Sequence, residues 1–223
     1  MKLSQEIFDF LSELKWNNNR VWFSENKQRF DGLQKELVLY TANLLSEIEL
    51  FDESVRGIDP KSCIFRIYKD VRFSKDKSPY KTHFGIFMRA GGKKINGTGY
   101  YLHIEPDVSF LGGGCYQPDS KSLYRIRAKI VKDSKTFLKL IQEKNFKKEF
   151  GETFYGETVK TAPRGFAKDH PLIEFLKYKG YAVTKKLNNA DVTSKDSTKK
   201  IISSYRLLYP LHQFLDKAMS ESN

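Results

Sequence analysis

The sequence predicts an α+β protein, a central antiparallel sheet of about four to five strands packed with N- and C-terminal helices. Three observations carry this. Between residues 63 and 114 the chain reads as four short strand-like segments separated by turn residues, several of them alternating apolar and polar side chains. The segments before and after this region carry apolar residues at helical spacing. The links between the four strands are short, whereas parallel neighbours need long crossover connections, so the pairing is antiparallel. No internal repeat or low-complexity linker divides the chain, so residues 1–223 are expected to form a single domain, with about 218–223 frayed.

Element by element, Ser4 offers an N-cap to a first helix carrying Ile7, Leu11 and Leu14. "NNNRVWFSENKQRF" opens a long second helix whose stripe continues through Phe30, Leu33, Leu37, Leu44 and Ile48. Gly57 and Pro60 mark the loop after it. Strands are expected at about 63–73 and 84–90, with "AGGKKINGTG" as a hairpin loop, then at "YYLHIEP" and "VSFLGGG". Helices are expected at about 120–132 and 134–147, capped by Asp119 or Ser120 and by Ser134. Pro171 suits the first turn of a short helix ending near Leu176, and "GYAVTKKL" reads as one more strand. A last helix over about 197–217 presents Ile201, Tyr205, Leu208 and Leu215, with a kink expected at Pro210.

Composition narrows the function classes. Hydrophobic residues make up 39% and aromatics 14% of the chain, enough for a sizeable core and too much for a disordered chain. No apolar run approaches the roughly 20 residues of a membrane helix. Glu6, Asp9 and Glu13 interrupt the apolar residues of the N-terminus, which reads as an amphipathic helix and not an export signal. Cys63 and Cys115 form no CxxC pair, so both are expected to be reduced thiols in a cytoplasm. The net charge of +12 directs attention to an anionic partner, a phosphate- or carboxylate-bearing small molecule or a nucleic acid. The charge is concentrated: residues 61–83 hold seven basic side chains against two acidic ones.

That segment contains "FRIYKDVRFSKDKSPYKTH". Alternation places Arg66, Tyr68, Asp70 and Arg72 on one strand face, about 7 Å apart at i and i+2, within reach of a common ligand. Arginine grips carboxylate and phosphate bidentately. Lys75, Lys77, Tyr80, Lys81 and His83 follow, and "SKDKSPYK" reads as a basic flap over such a ligand. The plainer account is an outward strand whose charges pair among themselves.

In "YYLHIE", Tyr101, His103 and Glu105 share one strand face. An imidazole beside a carboxylate is an acid–base pairing, and Tyr68 with Asp70 is a second candidate pair. His103 and Glu105 also match two ligands of a two-His-one-carboxylate metal site, with His83 as a third. The chain has only four His and no tight His/Cys spacing, so no metal is expected and no cofactor is named. A structural His–Glu pair is the plainer account.

"FLGGGC" matches no nucleotide fingerprint; its glycines mark either an anion-cupping turn or a close strand approach. Trp22, Phe23 and Phe30 read as core anchors, and Arg127 as an anion contact or a surface ion pair.

In this order, "NNNRVWF", "RIYKDVRFSKDKSPYKTH", "GYYLHIEP", "GGG", "LYRIRAKI" and "APRGFAKDHP" resemble the bacterial family catalogued as domain of unknown function 2461. The likeness spans about Trp16 to Pro171 and extends to the C-terminal helix. It implies a single cytoplasmic domain and implies no activity. Position 69 is Lys where the family pattern leads one to expect Arg, and Lys lacks the planar fork.

Three functions remain open from the sequence. The first is a protein binding or processing a phosphate-bearing ligand, with Tyr68, Phe73 and Tyr80 stacking on bases if that ligand is nucleic acid. The second is a small-molecule enzyme in which His103 and Glu105 transfer protons and arginines hold the substrate. The third is a non-catalytic partner-binding domain with an exposed apolar patch.

Overall fold

The computed structural model describes residues 1–72, 74–92 and 97–221. Helix α1 (Glu6–Trp16) starts from Gln5, because the Ser4 hydroxyl is engaged elsewhere: it donates to Glu36 at 2.8 Å. The long second helix is two helices, α2 (Arg20–Glu25) and α3 (Lys27–Glu49). They part at Asn26, whose amide donates to the Trp22 carbonyl at 2.9 Å in competition with the backbone ladder. A short helix α4 (Pro60–Cys63) begins where the Asp59 carboxylate accepts from the Lys61 and Ser62 amides.

Strands β1 (Phe84–Met88), β2 (Gly99–Ile104) and β3 (Phe110–Cys115) follow, and β4 (Tyr181–Lys186) joins them late. They form one antiparallel sheet in the order β1-β2-β3-β4, which makes the protein α+β. Between β3 and β4 lie α5 (Ser120–Lys132), α6 (Ser134–Ile141), α7 (Lys144–Phe150) and α8 (Ile173–Leu176). After β4 come α9 (Asn189–Thr193) and α10 (Ser197–Ser220), and α10 contains Pro210 within its span.

Two further expectations need correction. Among the described residues, 63–72 are not a strand: Cys63 ends α4, and the rest contribute only isolated bridges, Ile64 to Ile86 and Tyr68 to Tyr80. Side chains here bind nearby backbone instead: Asp70 accepts from the Arg72 amide, Ser74 from Asp76 and Asp76 from Ser78. Pro79 adds a residue that cannot donate to a ladder. The helix expected over 134–147 is interrupted, because the Glu143 carboxylate accepts from the Phe146 amide and starts α7. Phe73 of the expected strand, residues 93–96 of the expected hairpin loop and residues 222–223 of the expected frayed end lie outside the described residues.

The chain divides into two compact units. The first comprises Met1–Lys93, Tyr101–Leu111 and Lys186–Ser203. Its core gathers Ile7, Leu11, Phe23, Phe30, Leu37, Phe84, Ile86, Leu102 and Ile104. The buried Tyr40 hydroxyl meets Ser197 Oγ at 2.7 Å and so ties α3 to the start of α10.

The second comprises Lys94–Tyr100, Gly112–Lys185 and Ser204–Asn223, with Ile126, Ile130, Phe137, Leu176, Tyr181, Leu208 and Leu215 buried. Here the glycine triplet shows its role. Gly114 has φ +109°, and a Cβ on it would stand 2.2 Å from the Tyr181 carbonyl oxygen. A Cβ on Gly112 would stand 2.5 Å from the Val183 carbonyl oxygen. The triplet is a close approach of β3 to β4, lined by carbonyl oxygens.

Gly114→Ala is therefore expected to destabilise the protein by ~2 kcal/mol or more, read from the midpoint of urea unfolding. Gly92→Ala, at φ +82° with open space around it, is the control for backbone strain alone and is expected to cost about half as much or less. Equal losses would show that the backbone angle, and not the close approach, is what Gly114 serves.

Candidate functional site

The site is a consequence of strand parity. On β2, Tyr100, Leu102 and Ile104 are buried, while Tyr101 and His103 are half-buried on the other face and Glu105 follows in register. Ser109 fixes the turn beyond them: its hydroxyl accepts from the Glu105 amide at 3.0 Å and donates to the Glu105 carbonyl at 2.8 Å.

The side chains form a chain of hydrogen bonds. His103 Nε2 lies 2.9 Å from Glu105 Oε2, and His103 Nδ1 lies 3.2 Å from the Tyr101 hydroxyl. Thr82 Oγ1 donates to the other carboxylate oxygen, Oε1, at 3.1 Å. With Glu105 ionised, this network assigns the ring proton to Nε2 and leaves Nδ1 to accept from Tyr101.

His83, one residue before β1, packs against His103 with ring centroids 4.3 Å apart and the rings tilted by 31°. Burial, and then the neighbouring His103, hold its pKa down to about 4, so the ring is neutral at neutral pH. Lys81 and Lys69 push in the same direction and Glu105 opposes them. His83, His103 and Glu105 each offer a ligand atom, and these atoms lie within 4.8 Å of one another.

Aromatic rings surround the cluster. The His103 ring stacks on Phe110 with centroids 4.7 Å apart, and Tyr101 meets Phe110 at 5.6 Å, Phe65 at 6.4 Å and Phe87 at 6.5 Å. Gly85 on β1 makes room for this: a Cβ there would stand 2.9 Å from the Tyr101 hydroxyl oxygen.

The basic segment is organised differently. Arg66, Tyr68, Asp70 and Arg72 are all exposed, Tyr68 at 50%. Arg72 grips Asp70 through Nε at 2.9 Å and Nη2 at 2.6 Å, which holds the Asp70 carboxyl down at about 2. Lys69 donates to Asp76 at 2.5 Å and to Ser78 at 2.8 Å. A Lys, with three rotatable donors, serves these two separate acceptors without Arg's planar fork. Lys77 donates to the Val71 carbonyl at 3.0 Å. Lys81 donates to the Arg66 carbonyl at 2.8 Å and lies 5.6 Å from the Phe65 ring centroid. Lys75 is exposed. Tyr80 is buried and stacks on Phe23 at 4.0 Å. Arg127 lies in the second unit, buried, and donates to the Tyr178 carbonyl at 2.9 Å.

The structure thus brings together Tyr101, His103, Glu105 and His83, and sets Asp70 against Arg72. Sequence reasoning missed Thr82 and Phe110 as members of the cluster, and Asn18 as the clasp of the basic segment. Asn18 Oδ1 accepts from the Tyr80 amide at 3.0 Å and its Nδ2 donates to the Tyr80 carbonyl at 2.9 Å. A signal was present in "NNN". Asn19 caps α2 and Asn17 bonds back to the Glu13 carbonyl, so the middle amide is the one with no task in the helices.

Fold and site together define an α+β protein with an imidazole–carboxylate cluster set among aromatic rings on its sheet. Residues 6–214 match the family described as conserved hypothetical protein (DUF2461), and the chain belongs to that family. No curated protein and no solved structure matches it.

Asn18→Ala removes both bonds to Tyr80, together worth about 1–3 kcal/mol. Tryptic cleavage within residues 69–77 of the folded protein is expected to accelerate roughly tenfold as the segment opens locally. An unchanged cleavage rate would show that the stack of Tyr80 on Phe23 holds the segment by itself.

Proposed function

We propose that the outward face of β2 is the reaction site of a small-molecule enzyme, and that its substrate carries negative charge. The observation that carries this is the convergence of Tyr101, His103 and Glu105 in one hydrogen-bonded chain beside a neutral His83. A carboxylate behind an imidazole fixes its tautomer and stabilises the cation formed when it takes a proton, so Tyr101 and His103 are the proton-transfer groups. Phe65, Phe87 and Phe110 supply apolar contact area, and the polar groups supply orientation, a combination that small-molecule sites share. Lys81 supports the substrate's charge through its field and not by releasing its partner: its ammonium is held by the Arg66 carbonyl at 2.8 Å and lies along Phe65, a ring that borders Tyr101.

Binding of nucleic acid or another polyanion by the basic segment draws less support. Arg72, Lys69, Lys77 and Lys81 already hold partners within the segment, and a polyanion would have to displace them.

The test is a thermal-shift screen of small carboxylates, phosphates, nucleotides and short nucleic acids. A ligand at 100 times its Kd adds about 2.7 kcal/mol to native stability. For a chain of this size that is a rise in Tm of roughly 5–10 °C. The rise is expected from a small carboxylate or phosphate, to vanish in His103→Ala, to shrink in Lys81→Ala and to persist in Arg72→Ala. A rise that survives His103→Ala and disappears in Arg72→Ala, or that only nucleic acid produces, would overturn the proposal.

A further inference from the structure

We infer that His83, His103 and Glu105 form a binding site for one divalent first-row transition metal ion. The inference rests on the reading of the β2 face as a reaction site and supplies that site with an electrophile.

The donor set comes first. Two imidazoles and one carboxylate, with no thiolate, suit zinc, iron(II), cobalt(II) and manganese(II). Three protein ligands leave coordination positions for water or substrate, as catalytic sites require and closed structural sites do not.

Geometry comes next. His103 Nε2 and Glu105 Oε2 stand 2.9 Å apart. Two ligands at ~2.1 Å from an ion stand ~3.0 Å apart at an octahedral right angle and ~3.4 Å apart at a tetrahedral angle, so this pair lies within about half an ångström of the separation of adjacent ligands. The third donor, on His83, lies within 4.8 Å of both, a gap that side-chain rotation closes. The backbone needs no rearrangement, because His103 and Glu105 are fixed by β2 and its turn, and His83 by the neighbouring β1.

The surroundings already orient the ligands. Thr82 holds Glu105 Oε1 and leaves Oε2 turned to the imidazole. Coordination through His103 Nε2 moves that ring's proton to Nδ1, where the Tyr101 oxygen accepts it at 3.2 Å. With the ion bound, His103 has no electron pair left to take a proton, so Tyr101 alone keeps the proton-transfer role while it orients the ligand, and the ion would polarise the substrate. A His–Glu pair explains His103 and Glu105 by itself, but it does not call for a second imidazole packed against the first.

The experiment is titration of the chelator-treated full chain with zinc by calorimetry and with cobalt(II) by visible absorption. One equivalent is expected to bind with micromolar or tighter Kd and to give the ligand-field bands of a nitrogen–oxygen site. His83→Ala, His103→Ala and Glu105→Gln are each expected to weaken binding at least 100-fold, and Tyr101→Phe about tenfold. His170→Ala is expected to change nothing. Circular dichroism confirms that each variant folds, and His83→Gln replaces His83→Ala where it does not. Failure to bind, or binding indifferent to His103→Ala, would overturn the inference. The thermal-shift screen repeated in chelator separates the two ideas. An anion shift still dependent on His103, in a protein that binds no metal, removes the metal and leaves the reaction site. Metal binding as expected, with an anion shift indifferent to His103, removes the anionic-substrate reading and leaves the metal.

Discussion

The cluster depends on one constraint: β2 is buried on one face. Leu102 and Ile104 are fully enclosed, and burying side chains of this size contributes about 1.5–3 kcal/mol each. Slipping the strand by one residue would exchange them for His103 and Glu105, so register is strongly specified. Once it is fixed, Tyr101, His103 and Glu105 must line the opposite face in a row. A row on one strand is not yet a site. Neighbours at i and i+2 stand about 7 Å apart at their backbones, and long side chains have to lean toward one another to meet. Phe110 beneath His103 and Thr82 beside Glu105 set that lean.

The same strand shows how much of the site was legible. Its alternation was readable from "YYLHIE", and with it the shared face of Tyr101, His103 and Glu105. The approach of His83 was readable only as far as its residue type, because a hairpin brings it back across the 19 positions that separate it from His103 and nothing local encodes the pairing. Metal patterns that sequence does betray, such as two histidines one helical turn apart, place both ligands on one element. Here the ligands are shared between strands, and the spacing is a property of the sheet.

The segment after Ile64 shows the opposite failure. Phe65, Ile67, Val71 and Phe73 alternate with polar residues as in a strand, yet among the described residues only Ile64 and Tyr68 bridge. Period-two pattern is a necessary sign of a half-buried strand, not a sufficient one. Asp70, Ser74 and Asp76 offer the backbone short-range acceptors that compete with a ladder. Their partners also account for much of the local charge. Arg72 with Asp70 and Lys69 with Asp76 hold the loop's shape, although exposed pairs of this kind contribute little to overall stability. The concentration of positive charge that drew attention to this segment is thus in part the means by which a proline-containing loop keeps one conformation.

That division of labour bears on what kind of site the sheet can host. A loop whose cations are mostly spoken for is a poor grip for a polyanion, but it still sets a positive field over what lies beside it. Lys81 and Lys69 act on His83 through that field and help keep its ring neutral. Aromatic neighbours work in the same direction, since stacked rings displace water and weaken screening. An imidazole held neutral is an electron-pair donor with no proton to lose first. Such a donor beside a second imidazole, with a carboxylate oriented by a threonine, makes a cluster that offers electron pairs to an ion with empty orbitals. The positive field that disfavours protonating His83 would also count against a metal cation. It is the carboxylate's charge, and any anionic substrate drawn to the same field, that restore the balance, and so the charge of the substrate and the identity of the cluster belong to a single electrostatic problem.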